Sequence, residues 1–108
     1  MSIKRWETLL DQAAAGTSDW IDCDVRYEKI SVRPIIVNLT SGDSIAIQAI
    51  VKDVKGIDKS FLDELEDADI TTLKTYTTSG NDLIEGNWTY LRVVKVGANG
   101  AARVQGFI

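Results

Sequence analysis

Few residues of this chain have the types and spacing that catalysis requires. Histidine, the commonest general base and metal ligand, is absent from the 108 residues, which excludes Ser-His and Cys-His nucleophilic pairs. Asp22 and Asp24 would share one face of a strand and could act as a carboxylate pair of the kind that glycosidases use. A solvent-facing strand explains the same two residues without chemistry. We therefore expect no catalytic residues and predict that the protein is not an enzyme.

The acidic and sulfur-containing residues do not indicate a metal site. Residues 58–69 are strongly acidic, but they lack the alternating oxygen ligands and the central glycine of a calcium loop, so a solvated face or loop is favoured. The single cysteine, Cys23, excludes an internal disulfide and a Cys-rich zinc site. Its place in an alternating apolar pattern favours a small core residue over a reactive thiol. We expect no metal and no cofactor.

Features that bind nucleotides, nucleic acids or membranes are also sparse. Gly97 and Gly100 are followed by neither a Lys-Ser/Thr pair nor a helix, so they do not form a phosphate loop. The net charge of −4 argues against a nucleic-acid partner, and no apolar run is long enough for a transmembrane helix or a signal peptide. Four aromatic residues could form a platform for sugars or bases, or could equally be core and rim residues: Trp20, Tyr76, Trp88 and Tyr90.

Hydrophobic periodicity predicts a short N-terminal helix followed by a β-domain. Five apolar residues follow a helical spacing before Gly16, which would cap the helix: Ile3, Trp6, Leu9, Leu10 and Ala13. A short amphipathic helix needs a surface to pack on, so residues 1–16 form either a cover for the core or an arm that docks on a neighbouring subunit. Residues 17–108 are predicted to be one antiparallel β-sandwich or a jelly-roll-like barrel.

Within the β-domain, period-two patterns separated by turn residues predict about six strands, near 21–27, 31–39, 44–52, 70–77, 88–96 and 101–108. Pro34 indicates an edge position or the start of its strand. Residues 59–68 are expected to form a short helix or an acidic loop, 79–82 a turn, and 97–100 the tight loop of a terminal hairpin. Trp88, with Leu91 and Val93, is expected to help organise the core.

The charges divide the second half of the chain. From residue 86 onward every charged residue is positive, namely Arg92, Lys95 and Arg103, whereas residues 58–69 are acidic. The split indicates either an internal match between hairpin and loop or a contact between subunits. For the second case, the predicted partner-binding residues combine the N-terminal apolar stripe with the positive strand pair: Ile3, Trp6, Leu10, Arg92, Lys95 and Arg103.

Both ends of the chain resemble small virion proteins of tailed bacteriophages. The segments that carry the resemblance are Trp6-Glu7-Thr8-Leu9-Leu10, Gly16-Thr17-Ser18-Asp19-Trp20-Ile21, and the stretch from Gly86-Asn87-Trp88-Thr89-Tyr90-Leu91-Arg92-Val93 through Gly97-Ala98-Asn99-Gly100 to Val104-Gln105-Gly106. The resemblance implies a non-enzymatic virion structural protein, a capsid decoration (cement) protein that binds and stabilises the major capsid protein lattice, or a head-tail or tail accessory protein.

The same resemblance implies a homo-oligomer, a trimer or a dimer, that is assembled in the host cytoplasm and located in the virion. Its expected partners are the major capsid protein or other virion proteins, with no nucleic acid and no membrane. Two alternatives remain open from the residues themselves. One is a non-catalytic carbohydrate- or ligand-binding β-sandwich module, and the weaker one is an enzyme inhibitor that acts through its acidic segment.

Overall fold

A computed structural model describes residues 6–23, 32–50, 66–86 and 88–107. These residues form nine β-strands and one turn of 3-10 helix at Asp67–Asp69: β1 (Trp6–Gln12), β2 (Gly16–Thr17), β3 (Ile21–Asp22), β4 (Val32–Leu39), β5 (Ser44–Ile50), β6 (Thr71–Tyr76), β7 (Gly80–Glu85), β8 (Tyr90–Val96) and β9 (Ala102–Phe107). The prediction of a mainly β protein is confirmed.

The strands form two antiparallel sheets. The first sheet has the order β1-β9-β4-β7. In the second sheet, β8 pairs with β5 on one side and with the short strands β2 and β3 on the other, and β6 pairs with β5. Inward-facing side chains of both sheets meet in one apolar core, an arrangement compatible with the predicted β-sandwich.

The core is built from alternate residues of the strands, with β4, β5, β8 and β9 supplying most of them: Leu9, Leu10, Cys23, Ile35, Val37, Ile45, Ile47, Ala49, Ile84, Leu91, Val93, Ala102 and Val104. Trp88 packs against this cluster, beside the buried Leu91 and Val93. Cys23 is a fully buried core residue, as the alternating pattern predicted. At Gly106 of β9, an added Cβ would lie 2.7 Å from Cδ1 of Ile35 on the neighbouring strand β4. The Ile35 side chain therefore approaches the backbone of this glycine closely.

The predicted N-terminal helix is wrong for the part of it that the structure describes. Trp6–Gln12 is an edge strand paired with β9, and its register is irregular between Thr8 and Leu10. Leu9 and Leu10 are both buried, because a bulge in a strand turns two consecutive residues toward the same face. That bulge gives the apolar residues a spacing that also fits a helix. Ile3 lies outside the described residues.

Two further expectations differ from the fold, and the fold decides between the alternatives of a third. Residues 80–82, predicted as part of a turn, begin the edge strand β7, where turn-forming residues are tolerated because one side of the strand is unpaired. Residues 97–100 do not close a hairpin, since β8 and β9 belong to different sheets. Pro34 is the third residue of β4, which lies between β9 and β7, so it marks the start of a strand and not an edge.

The connections give the sandwich two different ends. Four short segments, 13–15, 40–43, 77–79 and 97–101, each carry the chain from one sheet to the other; we call this side the corner end. At the opposite side, β4 begins at Val32, β7 ends at Glu85 and β8 begins at Tyr90. We call it the Arg33 end, because Arg33 lies one rung from the end of the β4–β7 ladder.

Candidate functional site

A buried ion pair lies at the corner end. Lys95 of β8 and Asp43, which precedes β5, are each 2% exposed, and Lys95 Nζ lies 2.8 Å from Asp43 Oδ2. Lys95 Nζ also donates to the carbonyl oxygens of Ala13, at 2.9 Å, and of Gly97. The three donors of the ammonium group therefore all have acceptors.

Asp43 is as fully engaged as its partner. It accepts hydrogen bonds from Asn99 Nδ2 at 2.7 Å, from the backbone N–H groups of Asn99 and Gly100, and from Ser41 Oγ. The hydrogen bond from Lys95, with those from Asn99 and Ser41, holds the pKa of Asp43 well below its usual range despite the opposing effect of burial. This cluster ties together three of the four corners, so its role is structural.

Asp43 and Asn99 were not singled out from the sequence, where both fall in segments interpreted only as turns. The cluster joins residues 52 and 56 positions apart, and no local pattern reports such a contact. The one available signal was the parity of Lys95 in β8, which places its side chain on the same face as the core residues Leu91 and Val93. A lysine on an apolar face requires a buried partner.

The three positive residues predicted to form one partner-binding surface point in different directions. Lys95 is buried and cannot present its charge to a neighbour without breaking its pair with Asp43. The guanidinium of Arg92 stacks over the ring of Trp20 at 4.5 Å, on the second sheet. Arg103 is exposed on the first sheet. Strand alternation separates Arg92 from Lys95, since the two residues are an odd number of positions apart in β8.

Trp6 and Leu10, the apolar members of the same predicted surface, are separated in a similar way. Leu10 is 5% exposed and belongs to the core cluster. Trp6 is 46% exposed on the opposite side of β1, where its ring meets Phe107 edge-on with the centroids 5.9 Å apart. Of the described residues of the predicted N-terminal stripe, Leu9 and Leu10 are therefore buried, whereas Trp6 and the small Ala13 are exposed.

Trp6 belongs to an apolar surface on the outer face of the first sheet, which we call the Trp6 face. The register places Phe107 beside Trp6, and Leu83 beside Pro34. Its members are Trp6, Val32, Pro34, Ile36, Leu83 and Phe107. Val32 and Leu83 are 41% and 61% exposed. A groove of about 510 Å³ crosses this face between Trp6 and Leu83, with Asn81 and Asp82 at its rim.

Arg33 is a second unusual feature. Its side chain is 0% exposed and shares the inner face of β4 with Ile35 and Val37. Across the part of the chain that the structure describes, no acceptor lies within hydrogen-bond distance of its Nε, Nη1 or Nη2 atoms. A guanidinium is normally buried only with a partner. The sequence signal for this burial is that the charged Arg33 has the same alternation phase as the apolar residues Ile35 and Val37 of its strand.

The remaining candidate residues do not assemble into a site. Asp24 and most of residues 58–69 lie outside the described residues, and among those described no three acidic or sulfur side chains could hold a metal ion. Trp20 is covered by Arg92, Tyr90 is 1% exposed, and the indole N–H of Trp88 donates to the carbonyl oxygen of Glu85 at 2.8 Å. The predicted aromatic platform is therefore dispersed over the fold. None of the described residues belongs to a helix long and apolar enough to cross a bilayer.

Comparison of the chain with protein-family models, with curated proteins and with solved structures finds no match. Within the described residues, the Lys95–Asp43 cluster is explained by its structural role. Contacts among these described residues explain neither the exposure of the Trp6 face nor the burial of Arg33, which finds no acceptor there.

Proposed function

We propose that this protein is a non-enzymatic virion structural protein, a capsid decoration protein that attaches to the major capsid protein lattice through the Trp6 face. The observation that carries the proposal is the exposure of that face: Trp6, Val32 and Leu83 are 46%, 41% and 61% exposed on one side of one sheet. Contiguous apolar surface of this kind on a folded protein marks an interaction site.

The chemistry of the face favours a protein partner. The residues that line the groove have mainly apolar side chains, with Asn81 and Asp82 as the exceptions. Covering a side chain such as Leu83 stabilises a complex by about 1.5–3 kcal/mol, and a central tryptophan is a common anchor of interfaces. A broad, gently twisted sheet face also fits the flat surface of an assembled lattice.

The charges beside the Trp6 face indicate the nature of the partner surface. Glu85 is exposed at the end of β7, on the same side of that strand as Leu83, and the whole chain carries a net charge of −4. The partner surface should therefore be apolar and bordered by lysine or arginine. This replaces the sequence-based expectation of an acidic partner for Arg92, Lys95 and Arg103, which do not share a surface.

The sequence resemblance to tailed-phage virion proteins supports the same proposal, since Trp6 opens one of the segments that carry it. The oligomeric state implied there, a trimer or a dimer, and the location in the virion are part of the proposal. A head-tail or tail accessory protein would use such a face in the same manner, and the choice between these positions depends on which virion component binds.

Co-sedimentation with heads of the same phage that lack this protein tests the proposal. The test variant is Leu83→Asp, on the Trp6 face, and the matched control is Val96→Asp, on the second sheet; the two residues are 61% and 62% exposed. We expect Leu83→Asp to lower head binding at least 100-fold, the effect of about 3 kcal/mol, and Val96→Asp to leave it unchanged. Equal binding by both variants would exclude the Trp6 face as the attachment surface.

Two further measurements separate the alternatives. Light scattering on the wild type and on Leu83→Asp reports the oligomeric state, and an oligomer that dissociates only in this variant would assign the Trp6 face to self-association. Screening of the protein against a glycan array tests the carbohydrate-binding module. Glycan binding together with an absence of head binding would replace the virion proposal.

A further inference from the structure

We propose that Arg33 is a binding site for a single carboxylate group at the Arg33 end of the sandwich. The inference is independent of the Trp6 face and of virion attachment. It rests on the complete burial of Arg33 and on the absence of an acceptor for its Nε, Nη1 and Nη2 atoms among the described residues.

An unpaired guanidinium inside an apolar core is strongly unfavourable, because the charge loses its hydration without receiving hydrogen bonds in exchange. The same core shows how the chain satisfies a buried cation when the role is structural: Lys95 has one carboxylate and two carbonyl oxygens. Arg33 has the larger number of donors and none of these partners. A site that destabilises the isolated protein in this way is typical of a group reserved for a ligand.

The geometry of the donor selects the class of ligand. A guanidinium is a planar fork whose parallel N–H groups match the two oxygens of a carboxylate. Arg33 brings a single positive charge, and Lys74, a cation on the facing edge strand β6, is exposed and already lies 3.7 Å from Asp82. A monovalent carboxylate would leave a neutral pair inside the core, whereas a divalent phosphate would bury an uncompensated charge.

The position of Arg33 provides a route for such a ligand. The pair Val32↔Glu85 is the last rung of the β4–β7 ladder, and Arg33↔Ile84 is the next one. Arg33 is therefore separated from the end of the β4–β7 ladder by a single rung, and Val32 is 41% exposed. Strand ends open locally at a much lower free energy than the centre of a sheet.

The direct test observes the Arg33 side chain by NMR on the full-length wild-type protein. Sodium acetate is titrated while the Arg33 Nε–H resonance, assigned with Arg33→Lys, is followed, and sodium chloride at equal ionic strength is the control. We expect a saturable shift of this resonance with acetate alone. A resonance that responds identically to acetate and to chloride would overturn the proposal.

A second titration distinguishes the source of the carboxylate. Glutamate blocked at both backbone termini carries only its side-chain carboxylate, and blocked glutamine is its neutral match. A shift with acetate and with blocked glutamate, but not with blocked glutamine, assigns the site to acidic side chains of a protein. A shift with acetate alone assigns it to small carboxylic acids.

Stability provides an independent readout through Arg33→Met, which keeps the apolar stem and removes the charge. In buffer without carboxylates, we expect this variant to raise Tm by at least about 4 °C and to abolish the further increase that acetate gives the wild type. A Tm lower than that of the wild type would mean that the guanidinium is satisfied within the chain, and the proposal would fail.

Discussion

At the corner end, Lys95 Nζ reaches a carboxylate at 2.8 Å and two backbone carbonyls. At the opposite end, the equally buried Arg33 reaches no acceptor among the described residues. Both residues lie on inner faces of central strands, and both carry one positive charge. The comparison separates two uses of a buried cation in a small domain: Lys95 holds the corners together, and Arg33 keeps hydrogen-bonding capacity available.

The backbone shows the same contrast. The four corners are three to five residues long. Side-chain hydrogen bonds fasten them, such as those of Ser79 Oγ with the backbone of Leu39 and of Thr40 Oγ1 with the carbonyl of Ala101. At the Arg33 end, the described contacts include the backbone bond from Thr89 N to the carbonyl of Ile50 and the hydrogen bond from the Trp88 indole to the carbonyl of Glu85. The corner end is therefore the stable frame, and function is expected away from it.

The largest expected effect comes from deleting residues 1–15, which removes β1 and the corner that follows it. The core would lose Leu9 and Leu10, each worth about 2–5 kcal/mol, and Lys95 would lose the carbonyl of Ala13. Since small domains are stable by only about 5–15 kcal/mol, we expect no cooperative thermal transition and a collapsed amide NMR spectrum.

The matched control is deletion of residues 1–5, which leaves β1 intact and should preserve both the transition and the dispersed spectrum. If residues 16–108 instead fold cooperatively, β1 is a detachable arm, as the sequence alone allowed. That result would also mean that the corner at residues 13–15 is not needed for folding and that the other three corners suffice to hold this end together.

The second effect is the loss of the buried ion pair in Lys95→Met. Asp43 would remain buried without its cation, and breaking a buried pair in this way costs about 3–5 kcal/mol. Urea unfolding measures the difference, with Lys74→Met as the control, because Lys74 forms an exposed pair with Asp82 worth about 0–1 kcal/mol. If Lys95→Met lowers the free energy of unfolding no more than Lys74→Met does, the distinction between the two ends would be removed.

Acid sensitivity sharpens the same comparison. The folded-state pKa of Asp43 lies below its unfolded value, so the stabilisation from this group is present above about pH 4 and is lost as the pH falls toward the folded-state pKa. Arginine side chains in proteins stay charged throughout this range. Asp43→Asn should flatten the acid limb of the stability profile, whereas Arg33→Met should shift the whole profile without changing its slope.

The fold class followed from the sequence because period-two alternation is local: β4, β5, β6 and β8 lie close to their predicted ranges. The assignment failed where two patterns coincide, as in β1, whose bulge at Leu9 imitates a helical stripe. It failed again where one residue type is compatible with two structures: Gly80 is typical of a turn but begins the edge strand β7. The candidate sites were the hardest to predict, because the pairing of Asp43 with Lys95 and the spread of the Trp6 face depend on how two sheets pack.

The third effect compares glycines with positive φ at the two ends. Gly97 at the corner end has φ +98°, and an added Cβ would overlap the Asp43 carboxylate. Gly86 at the Arg33 end has φ +116°, and its Cβ would meet the ring of Trp88, a half-buried side chain. Each substitution by alanine introduces backbone strain of about 1–3 kcal/mol.

Five donors hold the Asp43 carboxylate, whereas one hydrogen bond holds the indole of Trp88. Gly97→Ala should therefore destabilise the protein by about 1 kcal/mol more than Gly86→Ala. Differential scanning calorimetry of the two variants measures this as a lower Tm for Gly97→Ala. Equal losses would mean that the Asp43 cluster adjusts as readily as a surface side chain.

The smallest expected effect concerns Tyr76, the last residue of β6 at the corner end. Its hydroxyl donates to Asp82 Oδ2 at 3.0 Å, and burial, together with the hydrogen bond and the charge of Asp82, raises the pKa of Tyr76 to about 12. Since this folded-state pKa exceeds the unfolded value of about 10, the stabilisation is complete below pH 10 and is lost between about pH 10 and 12.

Phenolate absorbance should therefore show one tyrosine that ionises late, and Tyr76→Phe should remove that component. In Asp82→Asn the transition should move part of the way toward the ordinary value, because burial, the largest cause, remains. The alkaline loss of stability should be modest, since the ring is half-exposed and solvent screens its partner. A late component that persists in Tyr76→Phe would belong to another tyrosine, and the hydroxyl of Tyr76 would then not join β6 to β7 across the corner end.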